Sequence, residues 1–483
     1  MRERAPQSPA GSAPVPVNHA RAVTRRHFLG QVSGGLGALA FASLRADEQR
    51  SLLPHFTPRA RRVVWLHMTG SPPQQDLFDY KPRLQELHMQ PCPESLLKNE
   101  RFAFIKGHPK ILGSPYRFAQ YGPQGAWVSE LLPCFRNAVE HVTMVRSLFT
   151  DQFNHAPAEL FLYTGAPRLG RPSLGSWLAY GLGSANRDLP GFVVLLSGGA
   201  NPSAGKSVWG SGFLPSVYQG CQCRSSGDPV LYVNNPDGID RDTRRRSLDA
   251  IADLNRAHQE QHGDPETASR IEQYELAFRM QMSVPEVMDI SRENAATLRL
   301  YGAEPSQPSF ARNCLLARRL LEQGVRYVQL YDHGWDVHGT GSGDDIITQL
   351  PRKCRDVDRG MTALLLDLHQ RGLLDDTIVV WSGEFGRTAM NEERAGSKFL
   401  GRDHHPHCFT IWVAGGGFRR GHVFGETDEL GYRISRDPVF IHDLQATLLH
   451  LLGLDHERLT FRFQGRDFRL TDVGGKVVPG LLA

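Results

Sequence analysis

What this chain lacks narrows its class before any motif is read. Its 483 residues show no repeat of solenoid or propeller period, and no stretch is long and apolar enough to span a membrane. It has no strong charge excess either. The formal charge is +4, but six Arg against one Glu fall in the first 46 residues. Setting that stretch aside leaves about −1, which excludes the basic footprint of a nucleic-acid partner. Cysteine is sparse, odd in number and scattered: Cys92, Cys134, Cys221, Cys223, Cys314, Cys354 and Cys408. At least one thiol is therefore free or intermolecular. Only Cys221 and Cys223 are close, and without a second Cys pair or suitably spaced His they make no zinc module. A disulfide to Cys92 or Cys134 stays open in an oxidising compartment.

The early charge has its own logic. Thr24-Arg25-Arg26-His27-Phe28-Leu29 precedes a weakly apolar, Gly-rich run from Gly30 to Ala42. That pattern matches a twin-arginine signal, with cleavage expected near Ala46. The expectation is export in folded form to the periplasm or outside the cell. Residues 1–46 would be the signal and 47–483 one large domain, with an insertion at about 197–240 that is rich in Gly, Ser and Pro.

Five short apolar runs read as buried strands: Val63 to Met68, Phe192 to Leu196, Tyr327 to Leu330, Thr377 to Trp381 and Phe409 to Val413. Helical patterns lie between them. Pro351 to Arg371 carries Met361, Leu364, Leu365 and Leu368 on one face and stops at Gly372. A second helix is expected from Pro438 to Leu452, with Asp437 as N-cap and Gly453 at its end. Arg241 to Arg299 reads as an outer helical layer. Buried strands alternating with helices predict an α/β fold with a largely parallel central sheet covered on both faces. In such sheets the ligand crevice lies just past the strand ends.

The strand ends are where carboxylates and imidazoles gather. Asp332-His333-Gly334-Trp335-Asp336-Val337-His338 follows one strand, Ser382-Gly383-Glu384-Phe385-Gly386-Arg387-Thr388 another, and Arg402-Asp403-His404-His405-Pro406-His407 precedes a third. A mixed imidazole and carboxylate offer suits Zn, Mn or Fe better than the oxygen cages of Ca or Mg.

Several blocks then align with one family. They are His67-Met68 with Asp76 to Pro82; Asn154-His155 with Thr164-Gly165; Gly212 to Pro215; Trp335 to His338; Gly383 to Thr388; Gly401 to Pro406; and His442 to Thr447. Across nearly its whole length the chain resembles the exported family known as domain of unknown function fifteen-oh-one, of the alkaline-phosphatase and sulfatase clan. The resemblance implies an alkaline-phosphatase-like fold. It also implies an Asp ending the first strand, a nucleophile opening a following helix, and metals that polarise a sulfate or phosphate ester. The Asp-to-His motif falls on Asp332 or Asp336 with His338, and Glu384 takes the place of a later Asp. Three positions depart from the clan. The first strand ends in Thr69-Gly70, so Asp76 or Asp79 would have to reach back; Phe385 stands where a second ligand is expected; and the nucleophile slot holds His155.

No formylglycine can form at His155. Asn154 and His155 are then expected at the reacting centre, binding metal or the substrate oxyanion, with a metal-activated water attacking directly or with Thr150 or Ser147 supplying a hydroxyl. The metal ligands expected are Asp336, His338, Glu384, His404 and His405, completed by Asp76 or Asp79, with Arg387 on the oxyanion. These residues predict a hydrolase of sulfate or phosphate esters, needing a divalent metal and acting on a small-molecule or carbohydrate ester. The competing expectation is a non-catalytic descendant that binds an extracellular glycan or a protein.

Overall fold

The structure is a computed structural model that describes residues 54–98, 100–224, 229–230, 235–262, 265–394 and 396–483. The expected twin-arginine signal lies outside the described residues. From Ser51 to Ala483 the chain forms one compact unit.

Nine strands build the central sheet. In chain order the strands used below are β1 (Arg62–Thr69), β2 (Val142–Phe149), β3 (Phe192–Ser197), β4 (Cys221–Cys223), β5 (Tyr327–His333), β6 (Thr377–Ser382), β7 (Gly386–Arg387), β8 (His404–His405), β9 (Phe409–Ala414), β10 (His422–Phe424) and β11 (Val439–Phe440). The short β7 and β8 pair with each other outside the sheet. The sheet runs β10-β2-β9-β6-β1-β5-β3-β4, with β11 also on β2. β1 is parallel to both β5 and β6, while β9 is antiparallel to both of its neighbours. The expected largely parallel α/β sheet is thus present, with one reversed strand. All five apolar runs read from the sequence lie in it.

Helices α1 (His155–Thr164), α2 (Leu174–Leu182), α5 (Phe310–Glu322), α6 (Gln349–Gln370) and α7 (Ile441–Leu451) cover the sheet, while α3 (Arg241–His262) packs on α4 (Pro265–Met288) and α4 on α5 as an outer layer. Alternation along β1 sorts the core into two layers. Val64, Leu66 and Met68 point to one face with Leu315, Leu320, Met361 and Leu365 of α5 and α6. Val63 and Trp65 point to the other with Leu162, Trp177, Leu444 and Leu448 of α1, α2 and α7. A strand buried on both faces must be apolar at nearly every position, which is why β1 reads as a continuous run.

Two local expectations change. The last helix begins at Ile441 rather than Pro438, because Val439 and Phe440 pair with Leu148 and Phe149 of β2 in extended conformation. Phe440 is the N-cap, its N–H donating to Asp443 at 3.1 Å, and Asp437 sits at φ +54° in the preceding turn. Within 197–240, β4 extends the sheet beside β3, and Val208 and Trp209 are buried in the second core layer. All seven cysteines are free thiols. Among the described residues no helix is long and apolar enough to cross a membrane.

Candidate metal centre

Parallel pairing puts the carboxyl ends of β1, β5 and β6 at one edge, with His67 in register with Tyr331 and Ser382. The loop after β5 turns directly onto the end of β1, where Trp335 N–H donates to Thr69 O at 3.1 Å. Gly70 has φ +104°, and a Cβ there would lie 2.5 Å from Asp336 N. That close approach leaves no room for a side chain at Gly70: the Asp336 loop occupies the space. β2 delivers the chain to the start of α1, which carries His155, and β8 lies opposite β7 with His404 across from Arg387.

Four predicted residues meet here. His155, His338 and His404 point their Nε2 atoms at one carboxylate oxygen, Asp336 Oδ1, at 3.3, 2.7 and 3.5 Å. His338 Nε2 and His404 Nε2 are 3.2 Å apart. A tetrahedral zinc with bonds near 2.0–2.1 Å has ligand-to-ligand edges of about 3.3 Å; the four distances above lie near that value, and all four donors lie within 4.8 Å of one another. Each ring is also held from behind. Glu384 Oε1 accepts from His155 Nδ1 at 2.5 Å, Glu392 accepts from His338 Nδ1, and the Phe153 carbonyl accepts from His404 Nδ1 at 2.7 Å. Carboxylates and carbonyls only accept, so the proton sits on each Nδ1 and the Nε2 lone pairs face inward.

Inward lone pairs beside a carboxylate need a cation. His155 Nε2 is buried without a hydrogen-bond partner. Burial disfavours the charged His155 ring most strongly, yet its bonds to Asp336 and Glu384 outweigh this and lift it to about 9. A proton is thus drawn into the metal-free site. For Asp336, burial works to raise the pKa, but Arg387 and the three imidazoles hold it far below the usual carboxylate range. His404 is lowered to about 4 by burial, aided by Arg387 and His155, so its ring is neutral and its lone pair available at neutral pH. The donor set therefore fits a divalent transition metal, which would displace the proton.

A second group adjoins the first through Glu384. His67, Glu159 and Glu384 are wholly buried, and one donor atom from each lies within 4.8 Å of the others. Glu384 Oε2 faces His67 Nε2 at 3.3 Å, and neither atom has a hydrogen-bond partner. Glu159 accepts from Ser203 N at 3.1 Å and Ala204 N at 2.7 Å. Burial and the nearby Glu384 charge push it up to about 8. Neither His67 nor Glu159 was expected as a site residue. The signal for Glu159 was its place four residues after His155, one helical turn along the same face. Glu392 carried none, being far in sequence from His338.

Other predicted residues are engaged differently. Glu384, expected as a metal ligand, stands behind His155 and falls in the second candidate group with His67 and Glu159. His155, expected at the reacting centre to bind metal or the oxyanion, is one of the converging donors. His405 turns away, its Nε2–H donating to the Tyr432 carbonyl at 2.6 Å and its ring stacked on Tyr432, because it alternates to the opposite side of β8 from His404. Asp76 is committed to a buried, bidentate pair with Arg402 at 2.7 and 3.1 Å. Asp79 accepts from Thr427 Oγ1 at 2.5 Å and pairs with Lys81 at 3.2 Å. Arg387, expected on the oxyanion, is buried and spends its donors on the carbonyls of Gly70, Ser71 and Arg402 and on Asp336. Asn154 is the N-cap residue of α1 but makes no capping bond through its side chain. Ser147 Oγ donates to Asp437 O, and Thr150 Oγ1 accepts from Gln152 N. Phe385 packs its ring against His155 and His404, centroids 4.9 and 4.6 Å away, as an apolar wall beside the donors.

No curated protein matches the sequence. Solved structures similar to it include the PsFucS1 sulfatase from Pseudoalteromonas sp., at 12% identity and TM-score 0.37 over 87% of this chain and 72% of that one. Another is the lipoteichoic acid synthase LtaP from Listeria monocytogenes, at 10% identity and TM-score 0.34 over 83% and 74%. A third is the alkaline phosphatase from the Antarctic bacterium TAB5, at 7% identity and TM-score 0.32 over 82% and 98%. The family described as "Protein of unknown function (DUF1501)" matches residues 60–482, and the chain belongs to that family.

Proposed function

We propose that this protein is a metal-dependent hydrolase of sulfate or phosphate esters, exported through the twin-arginine route to the periplasm or outside the cell. The observation that carries the reading is the convergence of three imidazole Nε2 atoms and Asp336 Oδ1 at the edges of a tetrahedral shell. His155, His338, His404 and Asp336 would hold one ion, zinc or manganese. A bound divalent ion supplies Lewis acidity toward an ester oxygen. The chain's own residues prepare that role. Glu384 and Glu392 fix the tautomers of His155 and His338, Arg387 offsets the Asp336 charge, and Phe385 keeps water from one side of the donors. His67, Glu159 and Glu384 offer room for a second ion. With neither Cys nor Ser in the position held by His155, attack falls to water rather than to a formylglycine.

Protein purified from an exporting cell is expected to hold about one or two transition-metal ions per chain. It is also expected to turn over sulfated or phosphorylated model esters, with activity lost in His338→Ala. Metal that is absent even after refolding with Zn or Mn refutes the reading.

One observation favours a second reading. Four protein donors close a tetrahedral ion, as in structural sites, whereas catalytic ones keep a position open. The protein would then be a glycan- or protein-binding descendant of the fold. The visible spectrum of cobalt-substituted protein separates the two: a change on adding sulfate or phosphate shows an open position, and an unchanged tetrahedral spectrum with no ester hydrolysed favours binding alone.

A further inference from the structure

Beside the metal centre lies a groove that the ligand set does not use. Between the groove's Arg394 and the centre stands Phe104, whose side chain is large, apolar and 40% exposed. The ring stands edge-on to His338 and His404, at centroid distances of 5.1 and 5.3 Å. The segment is tied down, since the N–H groups of Phe104 and Ile105 both donate to buried Asp403 Oδ2, at 2.7 and 2.9 Å. On the Phe104 ring rests Arg394, its Cζ 4.0 Å from the centroid. Arg394 binds Glu392 through Nε, while its Nη2 is buried without a partner. The groove has a volume of about 550 Å³ and is lined by Thr340, Arg394, Gly396, Ser397, Lys398 and Phe399. Two of these are cations and none is acidic. The groove adjoins the centre by chain connectivity, because Thr340 closely follows His338 and Arg394 closely follows Glu392.

We infer that this groove is a subsite for a second anionic group, a sulfate, phosphate or carboxylate on the non-reacting part of the substrate. The natural substrate is then an ester carrying at least two anionic groups: one at the metal centre, the other beyond Phe104 on Arg394 and Lys398. Phe104 forms the apolar wall between the two. The inference rests on the ester reading given above and narrows it. A rigid, exposed ring between a cation-seeking centre and a cationic groove suits a substrate with an apolar face and charge at both ends.

The test uses ligands that cannot be hydrolysed. Zinc-loaded protein is titrated calorimetrically with alkanedisulfonates of increasing chain length and with the matching monosulfonates. At least one disulfonate is expected to bind about tenfold more tightly than its monosulfonate. Lys398→Gln should narrow that ratio, and Lys398→Gln with Arg394→Gln should bring it within about twofold, zinc content being measured in each variant. If Arg394→Gln loses zinc through its contact with Glu392, Lys398→Gln alone carries the test. A ratio near one at every length, or a ratio unchanged by Lys398→Gln, overturns the subsite even if esters are hydrolysed. A preserved disulfonate preference without turnover of any ester supports the subsite and counts only against hydrolysis.

Discussion

Glu384→Gln discriminates between two roles for the most buried carboxylate of the centre. Glu384 Oε1 accepts from His155 Nδ1 at 2.5 Å and from Gly70 N at 3.0 Å, while Oε2 faces His67. The substitution keeps the shape and one oxygen, so packing is preserved. It replaces a charged acceptor by a neutral amide, which loosens the orientation of His155 and lowers its basicity as a ligand. Loss of such an orienting partner costs about 10–100-fold in metal affinity, or about 1.4–2.7 kcal/mol. If Glu384 instead bonds the ion directly, the loss matches that of Asp336→Asn. Zinc affinity measured by competition with a chromophoric chelator decides, with thermal unfolding of the metal-free proteins checking that both variants fold. Affinity within about twofold of wild type, or a loss as large as that of Asp336→Asn, refutes the geometry argued here.

Three further outcomes are expected. Asp76→Ala strands Arg402 in the core and should cost about 3–5 kcal/mol in urea unfolding; zinc content of the folded fraction should stay at the wild-type value, and zinc lost without destabilisation would restore Asp76 as a ligand. His405 is held down to about 3 by burial, against about 6.5 in an unfolded chain, so the unfolded state alone takes up the proton as pH falls between those values. Wild type should therefore lose stability relative to His405→Gln between pH 7 and pH 5 in denaturant titrations, and a constant difference would contradict the buried neutral ring. Chelation by EDTA should remove about 2.7 kcal/mol of stability when free metal had stood at 100 times its dissociation constant, and the melting temperature should fall with it, the loss growing with the logarithm of the free-metal concentration. An unshifted melt of fully loaded protein would show that the ion contributes nothing to the fold.

Much of the fold was legible because burial on both faces forces apolar runs, and β1, β3, β5, β6 and β9 all show them. β2 was not, since Thr143, Arg146 and Ser147 interrupt its pattern. Their polar groups are satisfied by Arg419 O, Gly425 O and Asp437 O, partners far along the chain that no local pattern reveals. The candidate site was legible where donor residues cluster in sequence, as in Asp336 to His338 and at His404. Which of two adjacent histidines faces inward was not, because it depends on the pleat of a two-residue strand. The partners of Asp76 and Asp79 were not legible for a related reason: an acidic residue near a site serves equally well as the partner of a buried Arg402 or of Lys81, and only the fold chooses.

The sequence distances within the centre set the order in which it can form. His155 and Glu384 stand 229 residues apart, and His338 and His404 stand 66 apart. Closing loops of that length is entropically unfavourable until the sheet has already brought their ends together. Of the four donors only Asp336 and His338 are neighbours in sequence, so a metal ion would find no complete shell in the unfolded chain to nucleate folding. An ion bound there would act as a lock, resisting the unfolding step while leaving the speed of folding unchanged.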